Sequence, residues 1–142
     1  LEGLNGCECK VFVSLHPKMI FDDYEYINQK FANTAILENE RLSDVICAAD
    51  IFVSCFASTI PWAILVGARA VFIDYFSLNF SLEHFSEAEI LRDPLNYKND
   101  IKRIISEDIQ HIDQEIIKEK YIDLDGCCSK RILDVVKIEE IV

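Results

Sequence analysis

Short apolar runs alternate along the chain with stretches whose apolar residues recur every three or four positions. That alternation predicts an α/β domain with a mainly parallel sheet flanked by helices. Residues 10–15 (Lys-Val-Phe-Val-Ser-Leu) predict a first strand, and His16-Pro17-Lys18 ends it, because proline cannot extend a strand and fixes a turn. A helix is predicted over 22–31, with Tyr24, Ile27 and Phe31 on one face and Asp22 and Asp23 in the first turn, where acids complement the helix dipole. Thr34–Leu37 reads as a second strand and 38–40 as a turn. Residues 41–49 read as a helix with Leu42, Val45, Ile46 and Ala49 inward and Ser43 and Asp44 outward. Residues 51–55 have the unbroken apolar character of a fully buried third strand.

The centre of the chain is a strand, polar turn, helix and strand. The run 51–55 passes into Ser54, Cys55, Ala57, Ser58 and Thr59, and a helix is predicted over 59–66. Ser58 is expected to cap that helix, Pro61 falls harmlessly in its first turn, and Gly67 closes it. A fourth strand follows over 70–73. Two buried strands joined by a helix are normally parallel, and ligands of open parallel sheets sit beyond the carboxyl ends of the strands. The Ser58-Thr59 turn lies at such an end and reads as a site for a phosphate-sized anion, or simply as a helix cap. Residues 76–86 predict a loop, 88–91 a short last strand, and Tyr97–Ser106 a helix facing inward through Ile101, Ile104 and Ile105. A charged helix over 109–120, a turn at 124–126 and a helix over 129–136 complete the pattern.

With 142 residues the chain is expected to form one domain, spanning 1–142. A net charge of −11 argues against nucleic acid and anionic membrane surfaces as partners. No apolar run approaches the roughly 18 residues of a membrane span, and a cytoplasmic location is expected. The six cysteines include Cys7-x-Cys9 and adjacent Cys127 and Cys128, spacings unlike those of zinc sites; Cys47 and Cys55 read as buried small hydrophobes. Neither a metal nor a cofactor is expected, and the thiols are expected to be free. The sequence opens at Leu1 without an initiating methionine, so it reads as part of a longer chain.

Three features stand in order: His16-Pro17 after the first strand, Ser58-Thr59 after the third, and Tyr121-Ile-Asp-Leu-Asp-Gly126 followed by Ser129-Lys-Arg-Ile132. Together they resemble the carboxyl-terminal, donor-binding half of GT-B glycosyltransferases, of the bacterial sialyltransferase-like and capsule or teichoic-acid transferase type. The resemblance covers about 10–136 and implies a Rossmann-like domain, one half of a GT-B fold. It implies a nucleotide-sugar donor activated by CMP, CDP or UDP, used in surface polysaccharide synthesis. It also implies an amino-terminal partner domain carrying the acceptor site. By the same resemblance His16 is the catalytic residue, meeting the donor phosphate with Pro17 and Lys18 beside it. Ser58 and Thr59 hold that phosphate, Ser54 is a further substrate-binding residue, and the turn around Glu38 meets the base. Trp62 stands where many relatives carry a ribose-binding glutamate, which leaves ribose recognition by a carboxylate without its residue; Trp62 either stacks on a base or packs in the interior. Asp74, at a strand end, is a candidate to face the cleft.

Other readings share the architecture. A UDP-sugar 2-epimerase half-domain fits the same pattern. A flavodoxin-like binding module does too, although the first strand ends in His16-Pro17 where a receiver would carry acids. A dinucleotide fold lacks its glycine fingerprint, since the chain has only four glycines. A non-catalytic half retained for assembly is the fourth reading, separated from the first by nucleotide binding.

Overall fold

Five strands, all parallel to their neighbours, form two ladders in a computed structural model that describes residues 1, 4, 7–55, 58–76, 87–108, 111–121, 127, 129, 130 and 134. The chain divides into two units, Leu1–His111 and Ile112–Val142. All five strands belong to the first.

In the first ladder β1 (Val11–Ser14) pairs with β2 (Thr34–Leu37), Val11 opposite Thr34. The connection carries a 3-10 turn at Phe21–Asp23 and then α1 (Tyr26–Lys30), in place of one continuous helix. The apolar spacing explains the break. Phe21, Tyr24 and Ile27 are three apart, the period at which a 3-10 helix aligns its side chains, whereas Ile27 and Phe31 are four apart. All four join one cluster with Val13, Leu15 and Ile36. The Asn28 Oδ1 accepts the Ile36 N–H at 3.2 Å and ties α1 to β2. The opposite face of the ladder is open, with Phe12 65% exposed.

Residues 41–49 also split, into α2 (Leu42–Val45) and a 3-10 turn at Ile46–Ala48, with Ile46 buried. The second ladder runs β3 (Ile51–Ser54), β4 (Arg69–Ile73), β5 (Glu89–Leu91), in that spatial order. Between β3 and β4 lies α3 (Ile60–Leu65), packed on β4 through buried Ile60, Ala63 and Ile64. On the other face α4 (Tyr97–Ser106) sends Ile104 against Val71 and Leu91. Thus β4 is covered on both faces. Gly67 ends α3 at φ 83°, where any Cβ would clash. There the Gly67 N–H reaches the Ile64 carbonyl at 2.9 Å and the Ala68 N–H reaches the Ala63 carbonyl at 3.0 Å. This is the Schellman closure of a helix, and it turns the chain straight into β4.

Three expectations change here. Strand number and direction agree with one parallel sheet of about five strands, but among the described residues no ladder pair joins β1 to β3. Lying at the edge of its ladder, β3 is not fully buried, and Val53 is 43% exposed. Cys47 and Cys55 are exposed and not core residues. Cys47 follows buried Ile46 on a tight helix, so it points away from the core and its Sγ donates weakly to the Asp44 carbonyl at 3.9 Å.

The amino ends of β4 and β5 are stapled to the end of α4 by charge. Arg69 donates to Glu89 at 2.7 Å, to Glu107 at 2.6 Å and to the Ile104 carbonyl at 3.1 Å. Arg103 completes the ring, bonding Glu89 and Glu107. Burial opposes ionisation of Glu89, but hydrogen bonds from Arg103 and Arg69 outweigh it and hold the carboxyl below its ordinary pKa. Hydrogen bonds from the same two arginines lower Glu107.

In the second unit, α5 (Gln114–Tyr121) starts after Asp113, whose Oδ1 accepts the Glu115 N–H at 2.8 Å. This side chain supplies the helix cap and moves the start inward from the expected residue 109. Most of the expected 76–86 loop, the 124–126 turn and most of the 129–136 helix lie outside the described residues, as does most of the motif running from Tyr121 to Ile132. Among the described residues, no helix is long and apolar enough to cross a membrane.

Cys9, Cys47 and Cys55 are free thiols. Titration of the denatured, unreduced protein is expected to find all six thiols of the sequence. A count of four or fewer would reveal a disulfide.

Candidate functional site

Parallel pairing gives each ladder one carboxyl edge, and the candidate residues fall on both. On the first ladder, His16, Pro17 and Lys18 follow β1 and Glu38 follows β2, all exposed. The His16 carbonyl accepts the Met19 N–H at 2.8 Å, closing a tight turn. Its ring joins the turn, for Nδ1 accepts the Lys18 N–H at 3.1 Å. An accepting Nδ1 puts the proton of a neutral imidazole on Nε2. His16 is therefore oriented by the backbone of its own turn, with the Nε2 donor left over.

On the second ladder, the carboxyl edge gathers Ser54 at the end of β3 with Cys55 after it, Asp74 and Tyr75 after β4, and Arg92 and Asp93 after β5. Asp74 is buried, 1% exposed, and its N–H donates to the Leu91 carbonyl at 2.8 Å. The Asp74 Oδ2 lies 3.8 Å from the Arg92 Nε. Tyr75 packs against the core. Burial, then the negative charges of Asp100, Cys55 and Asp93 and the neighbouring Tyr97, raise its phenol above the usual range. The edge is thus acidic, with Arg92 set among carboxylates.

Ser58 and Thr59 lead into α3, but not in the expected way. The cap residue is Thr59, not Ser58, and it makes no side-chain capping bond. The Trp62 and Ala63 N–H groups both donate to the Thr59 carbonyl, at 3.0 and 3.3 Å, and Pro61 has no N–H. Of the first four residues of α3 only Ile60 keeps an amide to offer. The turn therefore presents hydroxyls more than a cradle of amides. Ser58 is exposed, and so is Trp62, which is 47% exposed on the outward side of α3 and does not pack in the interior. Four residues on, Val66 is 40% exposed along the same side.

The candidates thus form two groups, His16–Lys18 with Glu38 and Ser54–Thr59 with Asp74. Among the described residues no hydrogen bond or ion pair joins them. A cavity of about 140 Å³ lined by Leu4, Cys9, Val11, Phe31 and Thr34 opens at the amino ends of β1 and β2, away from both groups. Among the described residues no cluster of His, Cys, Asp and Glu could hold a metal ion.

Arg92 is the residue that sequence reasoning missed. Its signal was faint: a charge directly after a three-residue strand, paired by register with an aspartate 18 positions earlier. Comparison with protein-family models, with curated proteins and with solved structures finds no match for the chain.

Proposed function

We propose that the chain is the donor-binding half of a GT-B glycosyltransferase of surface polysaccharide synthesis, acting in the cytoplasm on a CMP-, CDP- or UDP-activated sugar. In this reading the acceptor site lies on an amino-terminal partner domain. The observation that carries it is the His16 ring, held by the Lys18 N–H so that Nε2 is the free donor at a carboxyl edge of parallel strands. A departing nucleoside phosphate gains negative charge in the transition state, and a fixed donor stabilises that charge as it develops. Imidazole also supplies a proton at neutral pH. The hydroxyls of exposed Ser58 and half-buried Thr59 add donors to the same phosphate once the two groups are brought together around it. Trp62, exposed on α3, offers a flat apolar face where relatives present a ribose-binding acid.

The test is a titration of the chain with CMP, CDP and UDP, followed by NMR. Binding near millimolar (about −4 kcal/mol) is expected, with amide shifts at 16–18 and 58–60. His16→Ala and Ser58→Ala should each weaken it by about tenfold, the loss of one charge-assisted hydrogen bond, without changing the thermal midpoint. Silence of both amide groups at about ten times that dissociation constant would end the proposal and favour a non-catalytic module.

A further inference from the structure

The register of β4 and β5 pairs Ile73 with Leu91, so the next residues, Asp74 and Arg92, stand side by side just beyond the strand ends. One is buried and the other is 59% exposed in its side chain. Across 3.8 Å the exposed Arg92 guanidinium faces the buried Asp74 carboxyl. That separation is an ion pair and not a hydrogen bond. Asp74 has further contacts of its own. The pair therefore anchors Arg92 by charge without consuming its N–H donors, and the planar fork projects into solvent at the carboxyl edge.

The other described arginines of this ladder are spent. Arg69 and Arg103 are locked into the ring with Glu89 and Glu107 at the opposite, amino edge. Lys98, on α4, lies 5.7 Å from the Tyr97 ring centroid. Arg92 is thus the exposed arginine on the ligand side of β3–β4–β5. An arginine fork matches two oxygens of a phosphate at once, which a lysine cannot do. Asp93 and Asp100 nearby oppose anions at a distance, so recognition there depends on short, directed bonds and not on long-range attraction.

We infer that Arg92, positioned by buried Asp74 beside it at the carboxyl edge of β4 and β5, is an anion-recognition residue that takes a phosphate group of a nucleoside diphosphate. The identity of that anion rests on the donor-domain reading; the anion site itself does not. Asp74 acts through Arg92 and is a positioning residue.

Inorganic pyrophosphate is the probe, with UDP, uridine and sulfate as comparisons, on the whole chain with the Arg92 Nε–Hε signal followed by NMR. Pyrophosphate and UDP are expected to move that signal, and uridine to leave it in place. Arg92→Gln, a change at an exposed side chain, should raise the pyrophosphate dissociation constant about tenfold, which is about 1.4 kcal/mol. Arg92→Lys should recover only part of the loss. Asp74→Asn should shift the unliganded Arg92 signal and weaken pyrophosphate by a smaller factor, a change that a purely structural aspartate would not produce. An Arg92 signal indifferent to pyrophosphate, with Arg92→Gln binding as wild type, overturns the inference, as does an equal response to sulfate. UDP moving residues 16–18 and 58–60 but not Arg92 would also overturn it while sparing the donor reading. Pyrophosphate moving Arg92 while UDP moves nothing would uphold the anion site and sink the donor reading.

Discussion

Ile64→Ala should lower the stability of the Leu1–His111 unit by about 3–4 kcal/mol. Ile64 is wholly buried on α3, beside Ile60 and Ala63, and α3 packs directly on β4. Truncation removes three carbons from a site walled by helix and sheet. The Gly67 closure pins the end of α3, which limits how far the helix can settle into the space. Cavity and lost transfer energy then add. In a domain of this size the melting temperature should fall by roughly 10–20 °C. Trp62→Ala on the same helix serves as the control, with an expected cost below about 1 kcal/mol, because its side chain is half in water. Calorimetry of both variants checks the pair. Equal losses would mean that α3 does not bury the face described.

The second large effect belongs to Arg69. Arg69→Met should cost about 2 kcal/mol at neutral pH, since hydrogen bonds to charged partners contribute roughly 1.5–3 kcal/mol and partial exposure discounts them. The side chain is 18% exposed and bonds two carboxylates and the Ile104 carbonyl, so one substitution unlinks β4, β5 and α4. Acid should produce a related loss in the wild type. Glu89 and Glu107 both have folded pKa values below the ordinary 4.5. Their contribution is therefore fully present above that value and is lost as pH falls through the lower, folded values. Urea unfolding at pH 7 and pH 3 should show Arg69→Met far from wild type at the first and close to it at the second. A difference independent of pH would assign the effect to packing of the arginine stem.

Much of this architecture was legible in the sequence, because hydrophobic period reports local geometry well. Thr34–Leu37 and Tyr97–Ser106 have the bounds that the pattern predicts. The helix expected over 22–31 broke for a reason also written in spacing. Phe21 was left out of the apolar face, and adding it gives two successive spacings of three, Phe21 to Tyr24 and Tyr24 to Ile27. Exposure was harder to read. Val53 and Cys55 are apolar in sequence, but a strand with a partner on one side only leaves part of itself in water. Whether Trp62 is buried depends on which side of α3 meets β4, and composition cannot supply that. Arg92 was illegible for a similar reason. Nothing near it in sequence suggests a partner, and only the register of β5 on β4 sets it beside Asp74. Whether the His16 and Ser58 groups meet around one ligand likewise depends on relations between ladders that no local pattern encodes.

Among the described residues each strand pairing joins sequence neighbours, and this bears on how the chain finds its fold. Val11 meets Thr34, Ile51 meets Arg69 and Val71 meets Glu89, separations of 23, 18 and 18 residues. Closing a loop costs entropy that grows only with the logarithm of its length, so each of these pairings demands a small and similar search. Parallel sheets usually fold slowly because their strands lie far apart along the chain. Here the β3–α3–β4 segment, ended by its own helix closure, is the expected short-range nucleus for β5 and α4. A route built from near neighbours shortens the time for which strands that will pair lie open, which matters most for segments whose open backbone would otherwise recruit another chain.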